Sequence, residues 1–154
     1  MGRKGKRAPS PIIAAKQAPR RLAGIAHDGE GEHHPLWRLS LLDHEFDGGW
    51  HWKIDGATTV RITRFLQEME RLTWRQVWDQ QAGGQNRGAK HKFIPVESLC
   101  KDAQNRLTVL QLDDFEQLFR FRVGWSERLW GILTDESPRV FYPIWWDPDH
   151  KICP

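Results

Sequence analysis

From Leu36 onward the chain shows ordered alternation. Trp37, Leu39 and Leu41 alternate with Arg38 and Ser40, which predicts a first strand. Gly48-Gly49 marks a turn, and Asp55-Gly56 breaks the chain ahead of a helix. In that helix Ile62, Phe65, Leu66, Met69 and Leu72 fall on one stripe, and the pattern continues or restarts through Trp74, Val77 and Trp78. Residues 82–92, AGGQNRGAKHK, read as a glycine-rich basic loop. Pro95 suits the start of a second helix, in which Val96, Leu99, Cys100, Ala103, Leu107 and Leu110 keep helical spacing. Cys100 is then a core thiol. Asp113 with Glu116 predicts a capping box for a short helical turn.

The period then switches to two. Phe119, Phe121 and Val123 alternate with Arg120 and Arg122; Leu129, Gly131 and Leu133 alternate with Arg128, Trp130 and Ile132. Val140 to Trp146 makes a last strand. Short connections between these three segments predict an antiparallel meander. The expected fold is α+β: an antiparallel sheet, made of the N-terminal strand plus the C-terminal three-stranded meander, with two main helices packed on one face.

Residues 1–34 lack this periodicity and predict a flexible basic tail ahead of a single domain over 35–154. The tail is either merely solvated or an arm that touches nucleic acid. Nine Trp and seven Phe support a core that needs no disulfides. The formal charge is +3, but Arg3, Lys4, Lys6, Arg7, Lys16, Arg20 and Arg21 fall within residues 1–24, where there is no acid. The rest of the chain is slightly acidic, so a nucleic-acid site there must be a local patch. Two cysteines give neither a disulfide framework nor a metal spacing, and suggest a reducing, cytoplasmic setting. No apolar run is long enough for a membrane span, and the basic start lacks the apolar core of a signal peptide. No metal or other cofactor is expected.

Three segments carry candidate chemistry. Arg120 and Arg122 share one strand face, and Arg128 opens the neighbouring strand and can join it. Three guanidinium groups on one patch suit phosphate oxygens; the alternative is an ordinary solvent face in which arginines cover apolar surface. The segment after the last strand holds Asp147, Asp149, His150 and Lys151. An imidazole exchanges protons near neutral pH, Lys151 stabilises negative charge, and Asp147 orients the imidazole or acts as a base. A polar strand end with Asp147 capping a turn is the alternative. Lys90, His91 and Lys92 lie in the glycine-rich loop, where they bind phosphate or belong to a loop with no ligand.

The stretch LDDFEQLFRFRVGWSERLWGILTDESPRVFYPIWWDPDHKI, residues 112–152, resembles the C-terminal half of RelE/ParE-like toxins. The carrying residues are Arg120, Arg122, Gly124, Arg128, Leu129 and the Val140–Trp146 strand. The chain is also similar to bacterial proteins that end in a WWDPxHK element with a KHH-like segment upstream; Lys90-His91-Lys92 stands at that place. The resemblance implies a strand, two helices and a meander. It further implies a toxin-type, metal-independent endoribonuclease acting on RNA or at the ribosome, with an antitoxin protein as partner. Arg120, Arg122 and Arg128 then hold the scissile phosphate, while His150 and Lys151 donate protons or stabilise charge. The terminal Tyr that often serves such enzymes is absent, and Cys153 lies near its place. ParE-like members bind gyrase instead. That second possibility is a non-enzymatic binder of a protein partner, with Trp125, Trp130 and Trp145 as exposed contact residues.

Overall fold

A computed structural model describes residues 31–83 and 88–154. Its elements are β1 (Leu36–Trp37), α1 (Gly56–Glu70), α2 (Trp74–Asp79), β2 (Lys92–Pro95), α3 (Lys101–Val109), β3 (Gln117–Arg122), β4 (Arg128–Leu133) and β5 (Val140–Asp147). The strands form one sheet in the order β1-β5-β4-β3-β2. The fold is α+β, and β3, β4 and β5 form the antiparallel meander.

Three expectations are corrected. The sheet is mixed, because β1 runs parallel to β5, pairing Leu36 with Val140 and Trp37 with Phe141. It has a fifth strand, β2, antiparallel to β3, where a loop and a helix start were expected. Proline is tolerated there because Pro95 ends an edge strand. The main helices lie on opposite faces. Ile62, Phe65 and Met69 of α1, with Trp74 and Val77 of α2, pack on Phe119, Phe121, Leu129 and Phe141. Ala103 and Leu107 of α3 pack instead with Leu118, Trp130, Ile132, Tyr142 and Ile144. The cause lies in β4, where all six positions are buried. A strand apolar on both faces needs cover on both.

Local signals explain the helix ends. Asp55 caps α1, its carboxylate accepting from the Thr58 backbone N–H at 2.7 Å. The chain then restarts as α2 through a Thr73–Gln76 capping box. A short 3₁₀ turn, Val96–Ser98, precedes α3. The helical turn expected from Asp113 and Glu116 is replaced by non-helical turns over residues 111–116.

Of the segment expected as a tail, residues 1–30 lie outside the described residues. Residues 31–34 are held against α2: the Gly31 and His33 carbonyls accept from the backbone N–H groups of Arg75 and Trp74. His34 Nδ1 donates to the Leu72 carbonyl at 2.8 Å.

The core on the α1 side is aromatic, with Phe121 and Phe141 centroids 4.9 Å apart at 89°. Edge-to-face contacts of this kind add about 0.5–1.5 kcal/mol beyond area burial. On the α3 side a buried carboxylate ties three segments together. Asp43 accepts from Arg106 Nε at 2.8 Å, Arg106 Nη2 at 2.7 Å and Trp145 Nε1 at 3.0 Å. Burial alone would raise its pKa, but the Arg106 and Trp145 bonds outweigh it and hold the carboxyl below its ordinary value. Between Trp130 and Gly131 the β4–β5 register slips by one residue. Gly131 is required there, since a Cβ would collide with the Tyr142 carbonyl oxygen and Pro143 Cα.

Candidate functional site

Strand register gathers the arginines. Arg120 lies opposite Trp130 and Arg122 opposite Arg128, while Arg128 faces Asp147 on its other side. Directly paired residues share a sheet face, so Arg120, Arg122, Arg128 and Asp147 all stand on the α3 side. There α3 and its core cover Leu118, Ile132 and Tyr142, and the arginines occupy the neighbouring end of the strands.

They are not ordinary surface arginines. Arg120 is 9% exposed and Arg128 5%. Arg128 Nη1 donates to the carbonyls of Gly124, Trp125 and Glu127 at 3.0, 3.2 and 3.1 Å. The Nε groups of Arg120 and Arg128 are buried without a hydrogen-bond partner. Among the described residues, no carboxylate lies within ion-pairing distance of Arg120, Arg122 or Arg128. Burial pushes the Arg128 guanidinium down to about 10, helped by the charges of Arg120 and Arg122 and opposed by Asp147. Burial, then Arg122, lowers Arg120 as well, against an opposing effect of Cys153. These groups remain charged at neutral pH while poorly hydrated, an arrangement that an incoming anion relieves.

His150 stands beside them. Its imidazole pKa is lowered from 6.5, first by burial, then by the charges of Arg128 and Arg120, with Asp147 and a hydrogen bond at the Cys153 backbone opposing. Its Nε2 is buried and unpartnered. The residue takes a left-handed backbone, φ 56°, which few non-glycine residues adopt without compensation. The compensation comes from Asp147. This fully buried carboxylate accepts from the backbone N–H groups of Lys151 at 2.9 Å and Ile152 at 3.0 Å. Asp147 therefore positions the turn that carries His150; both of its oxygens are engaged in holding that turn. Ile152, wholly buried, anchors the far side, and its carbonyl accepts from the Cys100 N–H ahead of α3.

The remaining candidates are placed elsewhere. The Lys151 side chain lies against Gly49, and its ammonium pairs with Asp149 at 3.7 Å in solvent. Lys92 is exposed and, paired with Arg120, shares the arginine face. Lys90 is half-buried, and its backbone N–H donates to the Gln80 carbonyl. His91 is 1% exposed and lies against Phe65 and Phe121, in the α1-side core. Its Nδ1 accepts the Arg122 backbone N–H at 3.1 Å, so the ring proton is on Nε2, which donates to Gln80 Oε1 at 2.8 Å. His91 is thus fixed as a neutral acceptor under Arg122, with no edge open to a phosphate. Asn86 and Arg87 of the same loop lie outside the described residues.

Of the tryptophans expected on the surface, Trp130 and Trp145 are fully buried and only Trp125 is exposed. Sequence reasoning also missed the locking of the 124–127 turn. Ser126 Oγ donates to the Pro148 carbonyl at 2.7 Å, and Glu127 pairs with Arg61 of α1. Neither contact has a local sequence signal, since the partners lie on separate elements.

No protein-family model, no curated protein and no solved structure matches the chain. Among the described residues, no helix is long and apolar enough to cross a membrane, and no group of three or more His, Cys, Asp or Glu side chains is placed to hold a metal ion.

Proposed function

We propose that the chain is a RelE-like, toxin-type endoribonuclease that holds an RNA phosphodiester against Arg120, Arg122 and Arg128 and needs no metal. The observation that carries the reading is the pair of buried guanidinium groups, Arg120 and Arg128, that have no carboxylate at ion-pairing distance among the described residues and stand beside an unpartnered imidazole nitrogen. A phosphate supplies the missing negative charge and acceptors. The chain order of strand, helices and antiparallel meander supports the RelE-like part; β2 and the opposite-face helix α3 depart from it.

The chemistry follows from the groups present. With its pKa lowered, His150 is neutral at pH 7 and accepts the proton of the 2′-hydroxyl. The 2′-oxygen bonds to phosphorus as the bond to the 5′-oxygen breaks, and that oxygen takes a proton from water. The products are a 2′,3′-cyclic phosphate and a 5′-hydroxyl end. The arginines stabilise the added negative charge of the phosphorane-like transition state. An antitoxin protein is the partner this reading implies. The protein-binding alternative retains a single exposed aromatic, Trp125.

Purified chain incubated with RNA, with and without ribosomes, in EDTA tests the proposal. Cleavage is expected, lowered about 10²–10⁴-fold by His150→Ala. It falls as pH drops through a midpoint below 6.5, because only the deprotonated ring accepts the proton. Intact RNA under both conditions sinks the reading.

A further inference from the structure

The turn between β3 and β4 carries Trp125, which is 89% exposed. It is the most exposed of the large hydrophobic side chains described, in a protein whose other tryptophans are buried or half-buried. The turn beneath it is held from several directions. The Trp125 carbonyl accepts from Arg128 Nη1 at 3.2 Å, as do the carbonyls of Gly124 and Glu127. Ser126 fastens it to Pro148, just before the His150 turn. Glu127 fastens it to Arg61. The backbone N–H groups of Val123 and Gly124 both donate to the Glu127 carbonyl. Above this fixed base the Arg122 guanidinium lies 5.9 Å from the indole centroid.

An exposed indole gains nothing from solvent, and here it is presented on a rigid support beside the phosphate-binding arginines. Indole faces stack on nucleobases whatever the base, and a guanidinium adds cation–π attraction. We infer that Trp125 and Arg122 form a stacking shelf for an unpaired base next to the phosphate held by Arg120 and Arg128. The ligand is therefore single-stranded RNA, taken with little regard for base identity. A paired base is unavailable to the shelf, because its faces are covered by its neighbours in the helix. The inference rests on the proposed RNA reading and adds the strand state and the residue that selects it.

Binding of the full-length His150→Ala chain, which keeps RNA uncut, tests this by fluorescence anisotropy. The probes are a labelled single-stranded RNA octamer, the same octamer with abasic sites throughout, and a duplex of equal length. The octamer is expected to bind more tightly than the other two. Trp125→Ala should weaken octamer binding on the order of tenfold and leave abasic binding unchanged; Trp125→Phe should keep most of the affinity. Octamer binding unaffected by Trp125→Ala but lost with Arg120→Ala overturns the shelf and leaves the phosphate site standing. No binding of octamer or abasic strand overturns both.

Discussion

His91 shows how one imidazole constrains the pH range of the whole fold. Burial, followed by the charges of Lys90 and Arg120, pushes its pKa down to about 3 from 6.5. Between these values the unfolded chain binds a proton that the folded chain refuses. Stability therefore rises with pH across that window and is lost as pH falls through it, by about 1.4 kcal/mol per unit from this one group. Urea unfolding at pH 7 and pH 5 should show the loss, and His91→Gln should flatten the dependence at some cost in stability at pH 7. The sequence shows a His between two lysines in a glycine-rich segment, which reads as a phosphate contact or as a loop with no ligand. The burial of His91 depends on β2 joining the sheet and on Phe65 arriving from α1, neither of which local pattern reveals. Arg120 and Arg122 were legible because alternation along one strand fixes a shared face wherever the strand sits.

Among the elements, the turn after β5 decides whether the imidazole is in place. Its geometry depends on Asp147, which the sequence offers equally as a base or as a cap, and whose cap role appears only once Lys151 and Ile152 fold back. Asp147→Ala leaves two N–H groups without their acceptor and should cost roughly 3 kcal/mol. The same change should reduce RNA cleavage as much as His150→Ala does. Asp147→Asn, whose amide oxygen still accepts one bond, should restore part of both. Urea midpoints and cleavage rates on the three variants check this. The helix stripes of α1 and α3 were readable at the same scale. Strand β2 was not, because four residues ending in proline carry too little period to separate an edge strand from a helix start.

For the molecule as a whole, the formal charge of +3 gives little long-range attraction for RNA, so binding by the folded part depends on a few local contacts. Three guanidinium charges at the phosphate site predict a log–log salt slope of about −2 for a single strand, and Arg120→Ala should reduce its size by roughly 0.7. A titration of binding between low and moderate salt reads both values; basic residues within 1–24 that engage the same strand would steepen the slope. Composition alone announced a core rich in aromatics. That the core is two cores, one on each side of the sheet, follows from the burial of β4 on both faces, a property of the assembled meander.

The slip between Trp130 and Gly131 reaches further than the corner it bends. Ile144 is the supernumerary residue: below it Gly131 pairs with Pro143, above it Trp130 pairs with Trp145 and Arg128 with Asp147. Side chains on a strand change sides at every step. Were Ile144 instead drawn into the ladder opposite Trp130, Trp145 would pair with Leu129, Trp146 would stand opposite Arg128 and Asp147 would fall beyond the paired strands. The chain end that carries Asp147 and His150 thus owes the face it stands on to one residue left out of the ladder.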